Sequence, residues 1–278
     1  MTIKNILVSF NGQPSSAAAL AVALKMAEKY GAHLTGFLSH GPSRMSIALG
    51  PWVTPDLLTS IRETEAAARE TIAKAFHNAV LAAEKSRPGK HHWFDLGGDA
   101  DNSLMQAARF YDIVVMGQYD SDAETSHLAP HPDTIALRSG RPVLIVPNGF
   151  EPSGMNAHAV LAWDGGRAAA SAMSDAMPMM ETKSIVTVLT VGENQASRRR
   201  EGMDVVAHLA RHGVMTDWKN VPRNGGSIAS VIIDMVAQKD AGLLIMGAYE
   251  HSSFAEGLIG GVTKDVLKRC PVPVLMSH

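Results

Sequence analysis

The chain repeats itself once, and no other feature restricts its fold as much. NILVSFNG (5–12), followed by alanine-rich SSAAALAVALKMAEKYG, returns as HAVLAWDGG (158–166) followed by RAAASAMSDAMPMM, which sets Asp164 opposite Asn11, 153 positions on. DIVVMGQYD (112–120) returns as GLLIMGAYE (242–250), and SGRPVLIVP (139–147) as CPVPVLMS (270–277). Three landmarks in one order, twice, predict a duplicated domain. The period is far longer than the 20–50 residues of solenoid repeats. Between the copies, PNGFEPSGMN (147–156) is dense in residues that break periodic structure. Domains are therefore expected at 1–149 and 155–278, and a length of 278 residues suits two.

Each copy alternates strands and helices. Strands are predicted near 4–10, 33–39, 92–96, 112–117 and 142–147, then near 158–163, 184–191, 214–221, 242–247 and 273–277. Helices are predicted near 14–30, 55–87, 101–110 and 132–139, then near 166–181, 196–212, 227–238 and 258–269. Ile113-Val114-Val115-Met116 and Leu243-Leu244-Ile245-Met246 are apolar without alternation, as parallel strands covered on both faces are. Right-handed crossovers then give two doubly wound α/β sheets. Ligands of such sheets bind outside the carboxyl ends of the strands, where the strand order switches. Those ends are Asn11-Gly12 and Met116-Gly117 in one copy, Asp164-Gly165 and Met246-Gly247 in the other.

Composition excludes several alternatives. With 25 basic and 27 acidic residues the chain has no field for nucleic acid or an acidic membrane. The one cysteine, Cys270, excludes an intrachain disulfide or a zinc site built on several cysteines. No window approaches the ~18 apolar residues of a membrane span. A cytoplasmic protein is expected. Walker A, G-x-G-x-x-G and G-x-S-x-G patterns are absent. Ser227, before an apolar helical stretch, reads as an N-cap rather than a nucleophile.

A first strand ending in Asp-Gly, a late strand ending in Met-Gly, a glycine pair opening the last helix and then Pro-Val-Leu resemble the universal stress protein family, in its tandem bacterial form, over nearly the whole chain. The resemblance implies five-stranded parallel sheets of order 3-2-1-4-5 whose last strands pair across an intrachain pseudo-dimer axis; a homodimer of chains is left open. Nucleotide-binding members carry G-x2-G-x9-G-S/T. Here the spacing survives as Gly247, Glu250, Gly260 and Gly261, with Val262 and Thr263 following. The implied ligand is ATP or another adenine nucleotide, with Mg2+, in the second domain. Asp164, Gly165 and Val191 would meet the nucleoside; Met246, Gly247 and the glycine pair would offer backbone to ribose and phosphates, for which helix N-termini are suited.

Glu250 stands where that pattern has glycine. Unit charges 4 Å apart interact by ~1 kcal/mol in water and ~4 kcal/mol near a protein surface, against about 0.3–1 kcal/mol from a helix N-terminus. The carboxylate must turn away or take Mg2+. In the first domain Asn11 replaces the acid, and the loop after Gly117 carries Asp120, Asp122, Glu124 and Asp133 with no Lys or Arg before Arg138. That makes a poor phosphate site: the first half is read as a partner surface and scaffold, or as a pocket of Asn11, His40 and Gly117 around something other than ATP.

Other features have plainer readings. His91 and His92, adjacent on a strand, point to opposite faces, so no metal site is expected. Met173, Met177, Met179 and Met180 read as core or domain-interface packing. Arg198-Arg199-Arg200 reads as a solvated helix face. The stretch 41–53, with Trp52, reads as a lid or an interface patch. The expected role is ligand sensing in a stress response rather than catalysis. Slow metal-assisted hydrolysis through Glu250 or Asp164, and a module binding an apolar or metal ligand, remain the alternatives.

Overall fold

A computed structural model describes residues 2–41, 54–83, 91–119, 128–155, 157–192, 204–223, 225–248 and 261–278. In the first half β1 (Asn5–Ser9), β2 (His33–His40), β3 (His91–Gly97), β4 (Ile113–Gly117) and β5 (Val143–Val146) alternate with α1 (Pro14–Tyr30), α2 (Pro55–Ala83), α3 (Ala100–Ala108) and α4 (Pro132–Arg138). In the second, β6 (His158–Ala162), β7 (Ile185–Val191), β8 (Thr216–Val221), β9 (Leu244–Gly247) and β10 (Val274–Ser277) alternate with α5 (Arg167–Met180), α6 (Val205–Arg211), α7 (Ile228–Gln238) and α8 (Gly261–Arg269).

The ends of these elements follow local chemistry. Pro14 opens α1, where its missing N–H costs nothing, and Gly31 closes it in the left-handed region at φ 63°. The Ser227 Oγ accepts from the Ser230 amide at 3.1 Å and caps α7, as read from the sequence. Asp99 and Asp204 cap α3 and α6 in the same way.

All ten strands form one sheet, ordered β3-β2-β1-β4-β5-β10-β9-β6-β7-β8. Each half has the order 3-2-1-4-5, and every pairing is parallel except β5 with β10, which is antiparallel. There Leu144 faces Leu275, its own repeat equivalent. A pseudo-two-fold axis therefore passes through this pair, and the two sheets become one. Away from the sheet the Lys29 ammonium donates to the Thr182 hydroxyl at 2.6 Å, across the same 153-residue offset that relates Asn11 to Asp164.

Two apolar layers cover the sheet. One holds α1, α2, α5 and α6 over Ile6, Val8, Leu161, Ile245 and Leu275; the other holds α3, α4, α7 and α8 over Leu7, Val114, Val160 and Leu244. Both run unbroken across the seam. Met173, Met177, Met179 and Met180 lie buried in the first layer, Met179 near the end of α1. No described helix is long and apolar enough to cross a membrane.

Candidate functional site

Two equivalent turns stand at the strand-order switches. After β1, the Asn11 carboxamide oxygen accepts from the Gln13 amide at 3.1 Å, with Gly12 at φ 78°. After β6, an Asp164 carboxylate oxygen accepts from the Gly166 amide at 2.9 Å, with Gly165 at φ 83°. Each is an Asx turn followed by a residue in the left-handed region, which glycine enters without steric penalty. The first task of Asp164 is thus the turn itself, a task Asn11 performs equally well.

The Met-Gly ends of β4 and β9 lie against these turns. A Cβ on Gly117 would stand 2.5 Å from the Ser15 carbonyl carbon, and one on Gly247 2.6 Å from the Ala168 carbonyl carbon. The glycines let α1 and α5 sit down on the sheet. The space that a side chain at Gly247 would need is taken by α5.

The two switches then diverge. Asn11 is buried, and its side-chain amide donates to the Leu128 carbonyl at 3.3 Å. Asn11, Gly117, Ala129 and Pro130 enclose only about 10 Å3, room for a single water at most. His40 does not line this cavity. Its Nε2 lies 3.0 Å from Asp95 on β3, whose other oxygen is 3.3 Å from the Arg69 Nε of α2. In the second half Asp164 and Gly165 are exposed, Val191 ends β7 half-buried, and Met246 is buried. A Cβ on Gly261, which opens α8, would meet nothing within 4 Å. The first turn of α8 bears no acid, and Val262 and Thr263 follow, Thr263 buried. Glu250 and Gly260 lie outside the described residues, as do Asp120, Asp122, Glu124, Trp52 and Arg198-Arg199-Arg200.

The histidine faces are as read. The His91 ring lies 5.9 Å from that of His77, and the His92 ring 4.8 Å from that of His33. No group of three potential metal ligands occurs among the described residues. Burial pushes the Cys270 thiol up to about 11, which leaves it protonated at neutral pH and a poor nucleophile. Sequence reasoning missed two cavities at the seam. A groove of about 780 Å3 opens beside the first switch, between Gln13, Ser15 and Tyr119 on one side and Lys264 and Lys268 of α8 on the other, with Asp133 in its lining; Gln118 reaches across it, its Nε2 donating to the Leu267 carbonyl at 2.8 Å. A smaller cavity lies between the ends of α1 and α5. Neither could be found from one half alone, since each is lined from both.

The model of the universal stress protein family matches residues 2–147 and 219–278. Among solved structures, a universal stress protein from Archaeoglobus fulgidus DSM 4304 is 17% identical with TM-score 0.76, the alignment covering 100% of this chain and 97% of that one. A putative universal stress protein from Pseudomonas aeruginosa UCBPP-PA14 is 15% identical with TM-score 0.58, covering 99% and 93%. A functionally unknown protein from Pseudomonas aeruginosa PAO1 is also 15% identical, with TM-score 0.59, covering 99% and 92%. No curated protein matches.

Proposed function

Because this chain belongs to the universal stress protein family, we propose that it is a cytoplasmic ligand sensor whose second half binds an adenine nucleotide at the carboxyl ends of β6 and β9, while the equivalent turn of its first half is buried and structural. The observation that carries this reading is the divergence of two equivalent turns: Asn11 is buried under Leu128, whereas Asp164 and Gly165 are exposed.

In this reading Asp164 takes the nucleoside end and the backbone at Val191 meets the base. The amides of Gly261, Val262 and Thr263 face the phosphates from the start of α8. The open space at Gly261 and the acid-free first turn suit an anion there. Were Mg2+ bound with the nucleotide, Glu250 would be the carboxylate to hold it, and the ion would supply charge neutralisation toward the phosphates. A sensor also needs loop positions that differ with and without ligand.

Titration calorimetry with ATP and Mg2+ tests the reading. Wild type is expected to bind, Asp164→Ala to bind at least tenfold more weakly, and Asn11→Ala to bind as wild type does. Silence in wild type but binding by Glu250→Gly would mean that Glu250 disables an inherited site. Silence in both overturns nucleotide binding.

A further inference from the structure

Once β5 and β10 have joined in the middle, the ten-stranded sheet has two edges, β3 in the first half and β8 in the second. The repeat lets one be compared with the other residue by residue. Ile6 pairs with Leu34, and Leu34 with His91; their equivalents Ala159, Val186 and Thr216 pair in the same way. His92, Trp93, Phe94 and Leu96 therefore stand where β8 has Asp217, Trp218, Lys219 and Val221.

The tryptophan is kept, but the side chains on the other face are not. On β8 Asp217 pairs with Lys219 at 3.3 Å and with Lys239, at the end of α7, at 2.8 Å. A charged edge discourages the addition of a further strand. On β3 the same places hold His92, Phe94 and Leu96. Phe94 and Leu96 are each 49% exposed, and the His92 ring lies 6.5 Å from that of Phe94. This side of β3 bears no carboxylate or ammonium. Asp95, the strand's one acid, turns to the α2 side, where His40 and Arg69 hold it. The backbone of β3 is open as well. The Gly98 amide donates to the His40 carbonyl at 3.0 Å. Successive residues of a strand turn their amides to alternate sides, so Trp93, Asp95 and Gly97 turn theirs away from β2.

We propose that a second copy of this chain adds to the sheet through β3, antiparallel and two-fold about Phe94. In that register Trp93 of each copy exchanges both backbone hydrogen bonds with Asp95 of the other. Phe94 meets Phe94 in a non-hydrogen-bonded pair, where side chains approach most closely, and His92 faces Leu96. No like charges are brought together, since Asp95 lies across from Trp93. The strand is thus its own complement about Phe94. The pairing repeats what the chain already does at its centre, where β5 and β10 meet antiparallel with Leu144 opposite Leu275. Because the other edge is charged, association stops at two chains. The proposal does not depend on nucleotide binding.

The test uses the full chain, in which β10 already fills the β5 edge; a first-half fragment would present both edges at once. Sedimentation velocity over a hundredfold range of concentration is expected to show a monomer–dimer equilibrium with no larger species. Phe94→Lys puts on β3 the residue that β8 carries, at an exposed position, and should raise the dissociation constant at least tenfold with the far-UV circular dichroism unchanged. Phe110→Lys, which removes a side chain 83% exposed elsewhere, should leave association as in wild type. Under mild oxidation Phe94→Cys should form a disulfide-linked dimer much faster than Phe110→Cys, since a non-hydrogen-bonded pair sets the two Cα atoms about 4.5 Å apart. Cys270 is buried and does not interfere. A monomeric wild type, whether or not another protein's strand can take the edge, equal association of Phe94→Lys, equal loss in Phe110→Lys, or equal cross-linking of the two cysteine variants would each overturn the proposal.

Discussion

Gly117 and Gly247 answer one steric demand in two places, and substitution there tests it. An added Cβ would press on helix backbone at 2.5–2.6 Å, and backbone cannot step aside as a flexible side chain can. Gly117→Ala and Gly247→Ala are expected to cost about 2–3 kcal/mol each, in the range of overpacking. Gly261→Ala meets open space at a helix start and should range from neutral to about 1 kcal/mol stabilising. Urea denaturation of the three variants separates these outcomes. Lys183 offers a second test. Burial, then the charge of Lys29, lowers its pKa in the native state to about 8, against an ordinary lysine value of 10.5. Below pH 8 both native and unfolded chains carry the proton, and the native state bears the whole penalty. Between pH 8 and 10.5 the unfolded chain binds more protons, so stability rises with pH as the penalty disappears. Lys183→Met should therefore stabilise the protein at pH 7 by about 1–2 kcal/mol, a figure already reduced for solvent screening. That advantage should vanish by about pH 10.5. Thermal melts at pH 7 and pH 10 check the sign.

Among elements, the Asx turns show how one local structure can serve two purposes. Asn11 is buried and bonds both the Gln13 amide and the Leu128 carbonyl, so Asn11→Ala is expected to cost about 1–2 kcal/mol. Asp164 is exposed, and Asp164→Ala should cost only about 0.5–1 kcal/mol of stability. Chemical denaturation gives both values; a larger loss at Asp164 than at Asn11 would mean that the exposed turn is the structural one. The turns were legible in the sequence because Asn-Gly and Asp-Gly after an apolar run signal them directly. Their difference was not. It depends on Leu128, 117 residues from Asn11 along the chain. His40 has the same history: its place at the end of β2 was readable, but Asp95 and Arg69, from β3 and α2, decide which way its ring is drawn.

For the whole molecule, the antiparallel pairing of β5 with β10 joins the halves into one sheet. All four residues of β5 are buried, so a fragment ending at residue 149 would expose an apolar edge strand. Such edges recruit another strand. The fragment is expected to dimerise through β5, and Leu144→Lys should suppress this; sedimentation equilibrium would reveal a monomeric wild-type fragment, which would count against the seam as the driving contact. Element order, the apolar run of each parallel strand and the duplication were all written in the chain, because periodicity and turn residues act over a few positions. Tertiary structure alone decided that the first switch is filled by Leu128–Pro130, that Gly247 admits a helix, and that two lysines share a cavity. Each depends on atoms brought together from distant positions by packing, and desolvation acts on a charge only once those neighbours have displaced its water.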